Sequence, residues 1–121
     1  MFVEVDDDDL GEIPRAWAKL EAVVGSLRGR RFFGAFHPAT NTYRACVALR
    51  DGDDPAALGL EAGTLPGGRY LRARLAGEPP AVYGRIGATF EELAQRIDPD
   101  PSRPSIEHYR RRDEIELLLP V

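Results

Sequence analysis

The sequence predicts an α+β fold made of a duplicated β-α-β-β unit, with one antiparallel sheet and both helices on the same side of it. Two segments have the apolar spacing of amphipathic helices, and each is followed by two short runs of alternating polarity. Apolar positions of the first helix, such as Ile13 and Trp17, return 73 residues later as Ile86 and Phe90. Each of these repeated units has one helix and two strands. Their apolar faces are buried most simply when both helices pack on one sheet in a two-layer domain.

Length and composition indicate one globular domain covering residues 1–121. A chain of 121 residues can bury one core, and 43% hydrophobic with 30% charged residues is typical of soluble proteins. The formal net charge of −4 argues against non-specific nucleic-acid binding, which depends on neutralising phosphates. The single cysteine, Cys46, excludes an intrachain disulfide and a cysteine-based zinc site.

Nothing in the sequence is typical of export or of membrane insertion. Residues 1–9 run from a short apolar stretch directly into four aspartates, unlike a signal peptide. No apolar segment approaches the roughly 18 to 20 residues that a membrane span requires. We therefore expect a cytoplasmic protein without a membrane partner.

The first half, about residues 1–50, is predicted to contain a strand, a helix and two further strands. Phe2–Val5 is a short strand candidate that the aspartate run closes. Glu12–Ser26 is predicted to be helical because a proline suits its first turn and its apolar residues fall on one face. The aromatic segment Arg31–His37 and the segment Tyr43–Leu49, with small and β-branched residues, are predicted to be the next two strands.

The second half, about residues 65–121, repeats this order after a loop. The segment Asp51–Thr64 is rich in Gly, Asp and Ala, and we expect a loop in which Leu58 and Leu60 point inward. The remaining predicted elements are a strand from Tyr70 to about Leu75, a helix that opens at Gly77–Pro80 and runs to about Ile97, and strands Arg103–Tyr109 and Asp113–Val121 joined by a turn at Arg110–Arg112. Gly84 and Gly87 weaken that helix, which predicts a close backbone contact there.

The repeat also indicates where the two halves differ. Phe36 corresponds to Tyr109, whereas Gly34 corresponds to Glu107. One half thus offers a carboxylate where the other offers no side chain, which favours a single off-centre ligand site over a purely structural role. Because both helices are expected on one side of the sheet, the cleft between the halves is predicted on the other side.

Glu107 is the centre of the functional prediction. In its strand Glu107 and Tyr109 share one face, and Ile106 and His108 take the other. Burying the charged carboxylate of Glu107 costs free energy unless another group pairs with it. Together with the Tyr109 phenol, the carboxylate could bind a cationic ligand. It could equally act as a general base on water. The alternative is an exposed strand glutamate that pairs with an arginine of the turn Arg110–Arg112.

Four segments of the chain together resemble a known family. They are the proline-led helix Ile13–Leu20, the turn Leu65–Tyr70 with the sequence LPGGRY, the strand Ser105–Tyr109 with the sequence SIEHY, and the ending Glu116–Val121. In these segments the chain resembles the GyrI-like, or AraC-type effector-binding, domain, and the resemblance covers nearly the whole chain. The family fold is a duplicated strand-helix-strand-strand unit of the SHS2 type, in agreement with the repeat.

The resemblance implies a small-molecule pocket between the repeats, floored by the sheet and lined with aromatic side chains, in which Glu107 faces the ligand. The candidate lining residues are Tyr43, Tyr70, Tyr83, Tyr109, Phe33, Phe36 and Trp17. For the tyrosines the alternative is ordinary half-buried packing, and the place of Trp17 on an apolar helix face favours core packing. Two histidines without a third ligand at suitable spacing predict no metal site, and no cofactor is expected.

Three functions are consistent with the resemblance. The first is a stand-alone protein that binds small amphipathic, planar or cationic molecules, since 121 residues leave no room for a fused DNA-binding domain. The second is a hydrolase that opens cyclopropane-type electrophilic natural products, with Glu107 as general base. The third is a protein-inhibitor module of the gyrase-inhibitor kind, which would have a protein partner. Ligand identity, the choice between binding and catalysis, and oligomeric state stay open at the level of the sequence.

Overall fold

A computed structural model of the protein describes residues 1–6, 12–25, 29–111 and 113–121. In these residues the fold is α+β, with six strands in one antiparallel sheet and two α-helices. The elements in chain order are β1 (Phe2–Asp6), α1 (Glu12–Val24), β2 (Phe32–His37), β3 (Thr42–Val47), β4 (Tyr70–Ala76), α2 (Ile86–Ala94), β5 (Ser105–Arg111) and β6 (Glu114–Pro120). Within that part of the chain, neither helix is long and apolar enough to cross a membrane.

The strands of the sheet follow the order β1-β3-β2-β5-β6-β4, and each neighbouring pair is antiparallel. Each half of the chain contributes three adjacent strands, and the halves meet at the pair β2 and β5. In that pair Gly34 lies directly opposite Glu107, and Phe32 lies opposite Tyr109. Glu107 is consequently in the middle of the sheet.

Both helices cover the same face of the sheet, which we call the helix face. The helix α1 packs on β1 and β3, and α2 packs on β4 and β6. Directly opposed residues of antiparallel strands share a face. The successive pairs Tyr43–Phe36, Phe36–Ser105 and Glu107–Leu117 therefore carry one continuous face from beneath α1 to beneath α2. We call the other side of the sheet the reverse face.

Two buried clusters lie between the helices and the sheet. Under α1 the buried residues are Met1, Ala16, Leu20, Tyr43, Ala45, Val47 and Leu60. Under α2 they are Leu75, Val82, Leu93, Ile115, Leu117 and Leu119. Leu20 and Leu93, which the repeat makes equivalent, are both buried helix residues, as their apolar spacing predicts.

The first helix ends slightly before its predicted boundary. It ends at Val24 because Gly25 adopts a left-handed backbone, with φ of 81°, and donates its N–H to the carbonyl of Glu21 at 3.0 Å. Glycine takes this conformation without a side-chain clash, which makes it a common helix stop. The predicted last residue, Ser26, lies outside the described residues.

The second helix is shorter than the sequence predicts. The expected opening at Gly77–Pro80 forms turns, a single 3-10 turn follows at Tyr83–Arg85, and α2 spans only Ile86–Ala94. Each proline of the opening disfavours α-helical backbone angles in the residue before it, here Glu78 and Pro79. Among the residues that the structure describes, the expected close contact at Gly84 and Gly87 is absent, since a Cβ at either position would meet none of their heavy atoms within 4 Å.

The strands lie within two residues of their predicted bounds. The largest difference is in β5, which begins at Ser105 and continues to Arg111, through most of the segment predicted to be a turn. The pairing with β6 is irregular between Tyr109 and Arg111, so the strand absorbs an extra residue there. The last residue of the predicted turn, Arg112, lies outside the described residues.

The connection between β3 and β4 is a loop, as predicted, but only one of the two leucines that were expected to point inward does so. Leu60 is buried, whereas Leu58 is 36% exposed. Arg30 donates to both carboxylate oxygens of Asp53, at 2.6 and 2.9 Å, and holds the pKa of that carboxyl at about 2. Further on, Glu61 exchanges two backbone hydrogen bonds of 2.9 and 3.3 Å with β1. These contacts tie the loop to the edge of the sheet.

Candidate functional site

Glu107 lies on the helix face, half-buried between elements of the two halves of the chain. Its cross-strand neighbours, Gly34 on one side and Leu117 on the other, belong to the same face. The cleft was predicted on the side of the sheet without helices. The Glu107 carboxylate instead lies on the side that carries both helices. The reason is the two-residue alternation of β5, which turns Glu107 toward the same side as the core residues of β6.

Two phenols hold the Glu107 carboxylate in place. Tyr43 donates its hydroxyl to Oε1 of Glu107 at 2.8 Å, and Tyr109 donates to the same oxygen at 2.5 Å. The indole Nε1 of Trp17 donates in turn to the hydroxyl of Tyr43 at 3.2 Å. A chain of hydrogen bonds therefore runs from α1, through β3, to the centre of β5.

The absence of a side chain at residue 34 makes room for this arrangement. An ideal Cβ built on Gly34 would lie 2.5 Å from Oε1 of Glu107 and 2.9 Å from Cζ of Tyr43, and closer still to the Tyr43 hydroxyl. Real Cβ atoms do not approach other atoms this closely, because van der Waals repulsion rises steeply. Gly34 thus supplies the space that the carboxylate and the Tyr43 phenol share.

Aromatic rings flank the phenol of Tyr109 on two sides. Trp17 of α1 meets it edge-on, with ring centroids 5.4 Å apart and an interplanar angle of 78°. Tyr83 of the 3-10 turn meets it at 6.1 Å and 76°. The Tyr83 side chain is 40% exposed, so this end of the cluster reaches the surface. The cluster combines a carboxylate with π faces, and such a combination can hold a flat or cationic molecule.

Two phenylalanines extend the aromatic surface on the side of α1. Phe36 lies opposite Tyr43 in the sheet and packs against the cluster beneath α1. Phe32 lies opposite Tyr109 and meets the Trp17 ring edge-on at 6.2 Å. Phe32 was not among the predicted lining residues, although its position two residues before Gly34 puts it on the same face of the strand.

Phe33 and Tyr70 were also candidates for this site, and the structure does not bring them to it. Phe33 follows Phe32 and so points to the reverse face, where its ring stacks on His108 with centroids 4.7 Å apart. Tyr70 is at the start of the edge strand β4, where its hydroxyl donates to the carbonyl of Pro66 at 2.7 Å and the Arg103 guanidinium covers its ring. Both aromatic side chains are engaged in other contacts.

The alternative of an exposed strand glutamate does not describe Glu107, which is half-buried; of the turn arginines, Arg112 lies outside the described residues. Arg110 lies near a different carboxylate, with its Nη1 3.6 Å from Oε1 of Glu116. Glu116 is only 9% exposed and also lies 3.3 Å from Nδ1 of His108. This charge cluster belongs to the reverse face. In the described part of the chain, no group of three or more His, Cys, Asp or Glu side chains could hold a metal ion.

Burial raises the pKa of the Tyr43 and Tyr109 phenols above their ordinary value, and the nearby charge of Glu107 raises it further. In the unfolded chain both phenols ionise near about pH 10. Between that pH and the higher folded values, the unfolded state binds fewer protons than the folded state. Rising pH therefore favours unfolding in this window.

We expect the protein to lose stability as the pH rises above about 10, while the contribution of these two phenols is fully present below that pH. The check is the urea midpoint of unfolding across mildly to strongly alkaline pH, with phenolate absorbance recorded in parallel. The variant Tyr43→Phe/Tyr109→Phe is the control, and its midpoint should fall less steeply with pH. An equally steep decline in that variant would assign the effect to other groups.

Comparisons with known proteins provide a likeness in fold. No family model matches the chain, and no curated protein matches it. An integron cassette protein from the mobile metagenome of Vibrio cholerae has a crystal structure similar to this chain, with a TM-score of 0.66 and 18% sequence identity. The likeness covers 100% of this chain and 86% of that one. At this identity it supports the arrangement of helices and strands, and nothing about the site.

Proposed function

We propose that the protein binds small amphipathic molecules, planar or cationic, at the aromatic cluster around Glu107. The observation that carries this proposal is the fixed carboxylate, which two phenols hold; one of these phenols, Tyr109, is flanked by the rings of Trp17 and Tyr83. A carboxylate attracts a cation, and edge-on aromatic rings offer π faces for a flat ring system. Because Tyr83 is 40% exposed, a ligand would enter from the side of the 3-10 turn.

We also propose that the chain is a duplicated SHS2-type unit and a GyrI-like domain. The strand order of the sheet reads as β1-β3-β2 for the first half and, from the other edge, as β4-β6-β5 for the second. Gly34 and Glu107, equivalent in the repeat, are also direct cross-strand partners. That register is the one expected if a twofold relation between the halves passes through this pair. The register supports the duplication, and the proposed axis would pass beside the Glu107 carboxylate.

Binding is favoured over hydrolysis by the hydrogen bonds that Glu107 already makes. Hydrogen bonds donated to a carboxylate stabilise its charged form, which makes it a weaker general base. In Glu107 the oxygen Oε1 accepts from both Tyr43 and Tyr109, at 2.8 and 2.5 Å. These contacts suit a carboxylate that keeps its charge and position while a ligand rests beside it.

The test compares a planar cation with its uncharged counterpart, N-methylacridinium with acridine, at mildly alkaline pH where acridine carries no charge. We expect wild-type protein to bind the cation at least about tenfold more tightly, which equals about 1.4 kcal/mol. The variant Glu107→Gln keeps the side-chain size and should lose this preference, while its affinity for acridine stays within about twofold. Fluorescence titration gives the dissociation constants, and the melting temperature checks binding independently.

The matched control for the charge change is Glu78→Gln, because Glu78 is exposed and lies outside the cluster. That variant should retain the preference for the cation. A preference that survives in Glu107→Gln would remove Glu107 from the site. Failure of both dyes to bind or to raise the melting temperature would count against the proposed ligand class.

A further inference from the structure

The reverse face of the sheet contains a pocket whose lining shares no residue with the Glu107 cluster. Its volume is about 310 Å³, at the lower end of the range of small-molecule pockets. Its apolar floor and walls include Phe2, Phe33, Cys46, Leu65, Ile106 and Leu118. These residues come from five strands and from the loop before β4, so distant parts of the chain build the pocket together.

The walls of this pocket are held in place by contacts within the fold. The loop that forms one wall is tied to β1 by the two backbone hydrogen bonds between Phe2 and Glu61. Gly63 lies so close to the Phe2 ring that an added Cβ would be 2.9 Å from it. On the floor, the Phe33 ring is fixed by its stacking on His108. A pocket with fixed walls loses little conformational entropy when it binds a ligand.

The charged groups of the pocket lining have partners within the fold. Two residues of the lining carry charged groups: the Met1 α-ammonium donates to the carbonyl of Val47 at 2.9 Å, and the Arg44 guanidinium lies over the Phe2 ring, 4.2 Å from the centroid. The same guanidinium donates from Nε to Oε2 of Glu4 at 2.5 Å. Because the ion pair satisfies the arginine charge, Arg44 offers an anionic ligand little net electrostatic gain. The remaining lining is chiefly aliphatic and aromatic.

We infer that the reverse-face pocket is a second binding site, which takes a small uncharged apolar molecule. The inference does not depend on the Glu107 site, which lies on the opposite side of the sheet and is expected to prefer cations. The two sites therefore differ in the ligand charge that they prefer. A neutral molecule can occupy the reverse-face pocket while a cation occupies the Glu107 cluster. Burial of apolar ligand surface against Phe33, Ile106 and Leu118 supplies the binding free energy.

The probe for this site is N-phenyl-1-naphthylamine, an uncharged dye whose emission rises in apolar surroundings. We expect saturable binding to wild-type protein. The variant Thr64→Trp places a large ring at the exposed mouth of the pocket and should weaken binding at least about tenfold. The matched control is Leu58→Trp, in the same loop but outside the lining, which should change affinity less than about twofold. Glu107→Gln should likewise leave this affinity unchanged.

Cys46 provides a second readout inside the pocket, because it is the single cysteine of the chain. Burial raises the pKa of its thiol to about 11, so alkylation by iodoacetamide will be slow and can be followed by mass spectrometry. Saturating dye should slow this alkylation severalfold in wild-type protein. Unchanged alkylation, absent dye binding, or equal affinity in Thr64→Trp would each overturn the inference. Loss of dye binding in Glu107→Gln alone would assign the dye to the other site and would overturn it as well.

Discussion

Replacing Leu117 with alanine is expected to lower the free energy of unfolding by about 3 kcal/mol, as for other fully buried leucines. Leu117 is 0% exposed, lies beneath α2 and pairs across the sheet with both Glu107 and Ala73. The substitution removes buried apolar surface and leaves a cavity in a rigid part of the sheet. Urea denaturation followed by circular dichroism gives the change in free energy.

The adjacent residue provides the matched control, because it points to the reverse face. Leu118 is half-buried and lines the open pocket, so Leu118→Ala should cost about 1 kcal/mol or less. The contrast between the two variants tests which face of β6 carries the core. Equal losses in Leu117→Ala and Leu118→Ala would contradict the assignment of the helix face, and with it the position of Glu107.

Gly34→Ala is expected to destabilise the protein by about 2 kcal/mol, although it adds only one methyl group. The methyl would overlap the hydroxyl of Tyr43 and Oε1 of Glu107, so both side chains would have to move. Because the two form a hydrogen bond within a packed sheet, their displacement breaks polar contacts as well as packing. The same urea titration measures the loss.

The control for Gly34→Ala is the same substitution where space is free. A Cβ at Gly87 in α2 would meet no atom within 4 Å, so Gly87→Ala should stabilise the protein by up to about 1 kcal/mol. The double variant Gly34→Ala/Tyr43→Leu tests the cause, because leucine removes the phenol that the methyl would strike. Its loss should be smaller than the sum of the two single losses. Strict additivity would show that the clash with Tyr43 is not the cause.

Much of the fold could be predicted from periodicity. The three-to-four-residue spacing of apolar positions identified both helices, and alternation identified the strands to within two residues. The α+β class with one antiparallel sheet and two helices is confirmed. The predicted start of α2 at Gly77–Pro80 was wrong because each proline there disfavours α-helical backbone angles in the residue before it.

Only the part of the candidate site that lies within one strand, Glu107 and Tyr109 of β5, could be predicted from the sequence. Alternation within β5 predicts the shared face of Glu107 and Tyr109, and the repeat identifies Gly34, which has no side chain, as the counterpart of Glu107. The same alternation could have separated Phe33 from them, since it is adjacent to Gly34. The place of Tyr70 depends on long-range contacts with Arg103, which no local pattern encodes.

The reverse-face pocket had no signal in the sequence. One of its walls is an irregular loop, and loops lack the periodicity from which a face can be inferred. Its floor combines residues from strands that are far apart in the chain, such as Phe2 and Leu118. Such a pocket emerges only from the strand order of the sheet, which the hydrophobic pattern alone does not determine.

The hydrogen bond from Trp17 to Tyr43 gives the molecule an internal optical reporter. Trp17 is the single tryptophan of the chain, and it also lies 5.4 Å from the ring of Tyr109. Its emission therefore depends on the surroundings of one carboxylate and its two phenols. Any compound that settles there will shift or quench that emission, so occupancy can be followed in the unlabelled, unmodified protein.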